Sequence, residues 1–125
     1  MHALARLIHE RRAADPSLSY AQIARLSGGR ITKSAVGKWA SETEERLDGI
    51  PLPPSIAGLA QALHVSQLRV LLAAAEAAGI DVTDPNSSVF AGRLPAEIDD
   101  LPEVVQESLL RHIWTLINTT GDASA

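Results

Sequence analysis

The sequence has no cysteine, few aromatic side chains and no long apolar run. The absence of cysteine excludes a disulfide framework and a thiolate metal site, and makes the reducing cytoplasm the expected compartment. No apolar stretch approaches the ~20 residues that a membrane-spanning helix needs. The first residues do not fit a secretory signal, because Arg6 interrupts any apolar run and Glu10 follows it. We therefore expect a soluble, cytoplasmic protein with no membrane partner.

The residue patterns of catalytic sites are also missing. The sequence shows no Ser/His/Asp arrangement, paired carboxylates, metal-ligand spacing or phosphate loop, and its four histidines are scattered. Gly28-Gly29-Arg30 precedes a predicted helix but follows no strand, so it is not a dinucleotide-binding loop. We expect no enzyme activity, no cofactor, no metal and no small-molecule ligand.

Charge is divided unevenly along the chain. Residues 1–50 carry eight basic and six acidic side chains, a formal charge of +2, whereas residues 51–125 carry three basic and nine acidic ones, a charge of −6. The stretch from Arg6 to Lys38 alone has a formal charge of +5. A basic first half suits a nucleic-acid partner, and an acidic second half suits contact with protein. The alternative is a chance imbalance in a short chain.

Residues 18–41 predict two short helices joined by a glycine turn. Ser19 is placed to cap the first helix, with Gln22 answering it as a capping box, and Thr32 is placed to cap the second. Gly28-Gly29 ends the first helix, because glycine adopts positive φ without strain.

The second of these helices has two different faces. Val36 and Trp39 share an apolar side that we expect to be buried. The opposite side carries only small or cationic residues, namely Lys33, Ser34, Gly37, Lys38 and Ser41. A helix with an apolar back and a small, basic front fits the major groove of DNA. Pairs of amphipathic helices joined by glycine also occur in all-α proteins that bind no nucleic acid, and this alternative stays open.

Three further helices complete a predicted domain over residues 1–79. The first covers residues 3–13 and carries an apolar stripe at helical spacing. Pro53-Pro54 opens the fourth helix, where a missing backbone donor costs nothing. Ser66 caps the fifth helix, which ends at Gly79.

The sequence after this domain predicts a linker over residues 80–100, a C-terminal helix over 101–118 and a disordered tail over 119–125. The apolar stripe of this helix is too wide for one contact surface. We expect one side to meet its own domain and the other to form a homodimer interface through Val105, Leu109, Leu110, Ile113, Trp114 and Ile117. The alternative is that the helix folds wholly back onto the first and fifth helices of its own chain.

This order of elements resembles the Cro/C1-type repressors, also called XRE-type. The residues that carry the resemblance are Ser19, Ile23, Ala24, Gly28, Ile31, Thr32, Val36 and Trp39, followed by Ile56, Leu59, Ala60, Leu63 and Val65. The C-terminal helix is similar to that of nucleoid-associated actinobacterial and actinophage regulators of the EspR kind. The resemblance implies an all-α fold, with a five-helix helix-turn-helix DNA-binding domain and a C-terminal dimerisation helix.

The resemblance also implies roles for single residues. Helix three, about residues 32–41, is expected to lie in the major groove and to read base edges through Lys33, Ser34, Gly37 and Lys38. Phosphate contacts are expected from Ser19, Tyr20, Arg30, Thr32, Arg11 and Arg12, with an ordinary solvated helix face as the alternative for Arg11 and Arg12. The chain departs from the family pattern at Tyr20, where glutamine is common, in its longer glycine turn, and in the acidic stretch from Glu42 to Glu45.

We therefore expect a sequence-specific transcriptional regulator, a repressor, that binds double-stranded DNA as a homodimer. Two copies related by a two-fold axis would read half-sites ~34 Å apart or a multiple of that spacing. The expected location is the cytoplasm, in association with the nucleoid. The alternative is a protein-interaction module with a helix-turn-helix fold that binds a partner protein rather than DNA. The formal net charge of −4 favours that alternative slightly.

Overall fold

The structure is a computed structural model that describes residues 1–79 and 100–124. These residues form helices and no strands, so the predicted all-α class is confirmed. The helices are α1 (Ala3–Ala14), α2 (Tyr20–Leu26), α3 (Lys33–Trp39), α4 (Pro53–Leu63), α5 (Gln67–Ala77) and α6 (Glu103–Ser124). The linker predicted over 80–100 lies outside the described residues, apart from Asp100.

The starts of the helices follow local sequence signals. The side-chain oxygens of Ser19, Thr32 and Ser66 each accept a hydrogen bond from the backbone N–H three residues later, at 3.1 Å. All three predicted N-caps are therefore confirmed. The capping box with Gln22 is not formed, because the N–H of Ser19 bonds the carbonyl of Ser17 at 3.0 Å. α1 is capped by His2, whose Nδ1 accepts from the backbone N–H of Ala5 at 3.1 Å.

The core is built around α5. α1, α4 and α6 pack against α5, while α2 packs against α3 and α4. Every described helix contributes at least one side chain to the buried cluster, whose largest members include Leu4, Ile8, Ile23, Val36, Ile56, Leu59, Leu63, Leu68, Leu71 and Ile113. α2 and α3 are held through these apolar backs, which leaves the other side of α3 at the surface.

The C-terminal helix differs from its prediction at both ends. It begins at Glu103 rather than 101, because a residue that precedes proline, here Leu101, disfavours the helical conformation. It continues through Ser124, over most of the segment predicted as a disordered tail. After Pro102 no proline interrupts the backbone hydrogen-bond ladder.

The apolar stripe of α6 is directed mainly at its own chain. Leu109, Ile113 and Ile117 are buried, and α6 packs against α5. Val104 and Val105 are exposed near the start of the helix, by 77% and 38%. One side of the helix therefore packs on its own chain through α5, as expected, and the homodimer interface on the other side stays a prediction.

None of the described helices is by itself long and apolar enough to cross a membrane. α4 and α5 reach the length and apolar composition of a membrane-spanning segment only when taken together, and the chain bends by 117° between them. Most of their apolar side chains are buried in the core, which accounts for that composition.

Candidate nucleic-acid interface

The turn between α2 and α3 (residues 27–32) is fixed by a buried serine. The Ser27 hydroxyl donates to the carbonyl of Ala24 at 2.6 Å and accepts from the backbone N–H of Ile31 at 3.3 Å. Gly28 and Gly29 adopt φ of 74° and 81° between these anchors, as their sequence predicts. The hydroxyl therefore spans the turn and sets where α3 begins. Sequence reasoning missed Ser27, because nothing local distinguishes it from a solvated turn serine.

A second anchor reaches the turn from α4. Gln61 Nε2 donates to the carbonyl of Leu26 at 3.0 Å, at the end of α2. A Cβ placed on Gly58 would lie 3.1 Å from the Cβ atoms of both Ser27 and Arg30. α4 therefore lies so close to the turn that a side chain at position 58 would require Ser27 or Arg30 to shift.

The exposed side of α3 carries three of the four residues predicted to read bases. Lys33, Ser34 and Lys38 are exposed, whereas Val36 on the opposite side is completely buried and Trp39 is half-buried against the core. The two lysines project from a helix whose apolar back is immobilised by packing. Such an arrangement presents hydrogen-bond donors outward from a rigid support.

The far end of α3 is tied to α1. His9 Nε2 lies 2.8 Å from the carbonyl oxygen of Ala40, the residue that ends α3. The same nitrogen lies 3.9 Å from Glu42 Oε1, which begins the acidic stretch. Both ends of α3 are therefore fixed, by Thr32 at the start and by His9 at the end.

Positive charge is concentrated on α2, the turn and α3. No acidic residue occurs between Leu18 and Ser41. Within the described ranges, four cations of this stretch are exposed and make no ion pair, namely Arg25, Arg30, Lys33 and Lys38. Arg25 was not among the predicted site residues, although the acid-free stretch around it was a usable signal.

Two arginines predicted to contact phosphate are used inside the fold. Arg11 Nε donates to the carbonyl of Leu63 at the end of α4, at 3.0 Å. Arg12 Nε donates to the carbonyl of Leu18 at 2.8 Å, and its Cζ lies 4.5 Å from the centre of the Tyr20 ring. Both side chains are half-buried, so they join helices rather than form the solvated face considered as the alternative. We assign them a structural role.

The other predicted contact residues divide into two groups. Ser19, Arg30 and Thr32 are exposed, and the hydroxyls of Ser19 and Thr32 keep a proton to donate while they cap their helices. Tyr20 and Gly37 are half-buried and face each other, because a Cβ on Gly37 would lie 3.8 Å from the ring. Gly37 therefore faces the Tyr20 ring rather than a free surface.

The six residues predicted for a dimer interface are not brought together on one free surface. Three of them are buried in the chain's own core, as described above. Leu110 and Trp114 are half-buried against that core, and Val105 is exposed. Among the described side chains of α6, the exposed large apolar ones are Val104 and Val105, near the start of the helix.

The pKa shifts that are resolved among the described groups lie away from the exposed face of α3. Burial lowers the pKa of His2, partly opposed by the nearby carboxylate of Glu44. Hydrogen bonds from Ser17 lower the pKa of Asp15. In residues 1–79 and 100–124, no three histidine or carboxylate side chains cluster as the ligands of a metal ion would.

Comparison with protein-family models, curated proteins and solved structures gave no match to this chain. The candidate interface therefore stands on its own geometry: a fixed turn, a short helix buried on one side, and unpaired cations on the other.

Proposed function

We propose that the chain is a sequence-specific DNA-binding regulator of transcription, in which α2 and α3 act as a helix-turn-helix and α3 enters the major groove. The observation that carries the proposal is the exposed face of α3. Lys33 and Lys38 stand unpaired among the described residues on a helix whose opposite side is buried. Lysine donates to the O6 and N7 acceptors of guanine, and Ser34 can donate or accept at a base edge.

The surrounding residues support the same mode of binding. Arg25 and Arg30 add exposed positive charge, and phosphate contacts of this kind supply most of the affinity for DNA of any sequence. Ser19 and Thr32 are exposed hydroxyl donors at the starts of α2 and α3. Such contacts fix the register of a protein on the duplex, while base contacts give specificity.

We extend the proposal to a homodimer, because two recognition helices are needed to read a two-fold symmetric site. The surface offered for a partner is the start of α6, where Val104 and Val105 are exposed. Sedimentation of the chain alone and with DNA measures this directly. A strictly monomeric chain on a single half-site would refute the dimer while leaving DNA binding intact.

The experiment that tests DNA binding is selection from random duplexes, followed by affinity measurements across a salt series. We expect the wild type to select a site, and Lys33→Ala with Lys38→Ala to lose about 100-fold or more in affinity for it. We expect the salt slope to change by less than about 1, since each neutralised phosphate contributes about 0.9 and the two lysines are proposed to contact bases.

The matched control removes two exposed cations elsewhere, Arg6→Ala on α1 with Arg111→Ala on α6. This control has the same net charge as the test variant, and we expect it to retain site selection. Equal losses in both variants would mean that only total charge matters. A wild type that binds no DNA at low salt would overturn the proposal and favour a protein-interaction module.

A further inference from the structure

The ring of Tyr20 occupies the junction of three helices. On one side the Arg12 guanidinium from α1 lies over the ring, with Cζ 4.5 Å from its centre. That guanidinium is itself held by its hydrogen bond to the carbonyl of Leu18, at 2.8 Å. Arg12 therefore has a fixed position from which to support the ring through a cation–π contact.

A different part of the ring reaches α3. A Cβ built on Gly37 would lie 3.8 Å from Cδ2 and 4.0 Å from Cε2 of Tyr20. An added methyl group would make ordinary van der Waals contact with the ring, so the ring faces the α3 backbone across a gap of about one methyl group.

We propose that Tyr20 is a positioning residue, and that the Arg12–Tyr20–Gly37 stack sets how far α3 projects from α2. The inference rests on the proposed DNA binding, and it replaces the phosphate contacts that the sequence suggested for Tyr20 and Arg12. The stack matters because both lysines lie on the same helix as Gly37. Lys33 is one turn before it and Lys38 is the next residue. A shift of α3 would move both lysines relative to the base edges.

The two roles for Tyr20 separate cleanly by substitution. Tyr20→Phe keeps the ring and removes the hydroxyl that a phosphate contact would use, whereas Tyr20→Ala removes the ring. We expect Tyr20→Phe to stay within about twofold of the wild type in affinity for the selected site, with an unchanged salt slope. We expect Tyr20→Ala to lower the ratio of selected-site to random-DNA affinity by about tenfold or more.

A second readout needs no DNA. The chain has two tryptophans, Trp39 on α3 and Trp114 on α6, so Trp114→Phe leaves Trp39 as the sole reporter. Trp39 is excited at wavelengths that tyrosine does not absorb. We expect its emission to shift in Tyr20→Ala and to remain unchanged in Tyr20→Phe. Arg12→Met should shift it in the same direction, and adding Arg12→Met to Tyr20→Ala should bring little further change.

The control for general destabilisation is Leu72→Ala, which truncates another half-buried side chain on α5. We expect it to lower stability without changing Trp39 emission or DNA discrimination. The inference is overturned if Tyr20→Phe loses as much affinity for the selected site as Tyr20→Ala, or if Tyr20→Ala leaves Trp39 emission unchanged. If the wild type selects no DNA site, the proposed function fails, and Trp39 emission still decides whether the stack positions α3.

Discussion

Replacing Ser27 by alanine tests whether one buried hydroxyl holds the α2–α3 turn. The side chain is completely buried and bonds both Ala24 and Ile31, as described above. Alanine removes both hydrogen bonds and leaves the N–H of Ile31 without its partner in a buried turn. The loss of one partner from a buried pair costs the desolvation penalty of the group left behind.

The expected magnitude follows from these contacts. A buried, unsatisfied backbone donor costs about 1–3 kcal/mol, and the 3.3 Å length of the bond from Ile31 places the loss in the lower half of that range. For a chain of this size, each kcal/mol lost lowers the melting temperature by about 3–6 °C, so a loss of about 1–2 kcal/mol corresponds to about 3–12 °C. Urea unfolding followed by circular dichroism measures the free energy directly, and its slope should not change.

The matched control is Ser108→Ala, which removes a hydroxyl from an exposed position of α6. We expect its stability to lie within about 0.5 kcal/mol of the wild type. If Ser27→Ala is no less stable than Ser108→Ala, the hydroxyl does not hold the turn and the reasoning fails.

Three other substitutions probe separate parts of the fold. Gly58→Ala should lower the free energy of unfolding by about 1–3 kcal/mol, because the added methyl group clashes with the α2–α3 turn. Alanine otherwise favours a helix over glycine, so a urea midpoint above that of the wild type would mean that the clash is absent. His2→Asn keeps a capping side chain but removes the buried imidazole. Because the pKa of His2 is lowered in the folded state, the unfolded chain binds more protons as pH falls below about 6.5. Wild-type stability should then drop on acidification more than that of His2→Asn, and parallel pH profiles would refute this. Ile113→Ala should cost about 2–5 kcal/mol if α6 belongs to the monomer core, against less than about 0.5 kcal/mol for Val104→Ala, and equal urea midpoints would place α6 outside the core.

The signals that could be read from the sequence were local ones. Ser19, Thr32 and Ser66 cap their helices as predicted, because a cap depends only on the next three residues. The positive φ of Gly28 and Gly29 is equally local. The division of α3 into a buried and an exposed side also follows from helical spacing alone.

The contacts that could not be predicted join distant parts of the chain. Arg11 bonds the carbonyl of Leu63, and Gln61 bonds that of Leu26, across 52 and 35 positions of sequence. From the sequence alone, a long cationic side chain is interpreted as a DNA contact or a solvated residue. Only the fold shows that a carbonyl at the end of a helix lies beside it. The division of the α6 stripe is a contact of the same kind, since only the fold shows that Leu109, Ile113 and Ile117 are its buried part.

The acidic stretch after α3 is the main sequence feature that argues against a DNA-binding face, and the fold answers part of that objection. Glu42 Oε1 lies 3.9 Å from His9 Nε2 on α1, and the carboxylate of Glu44 raises the pKa of His2, the residue that caps α1. The stretch is followed by Leu47, which is buried and bonds the carbonyl of Ala77 on α5 at 2.8 Å. Exposed charges are screened over about 8 Å at physiological salt. The net charge of −4 by itself does not argue against a cationic α3, because what a phosphate encounters depends on the charges within that distance rather than on their sum.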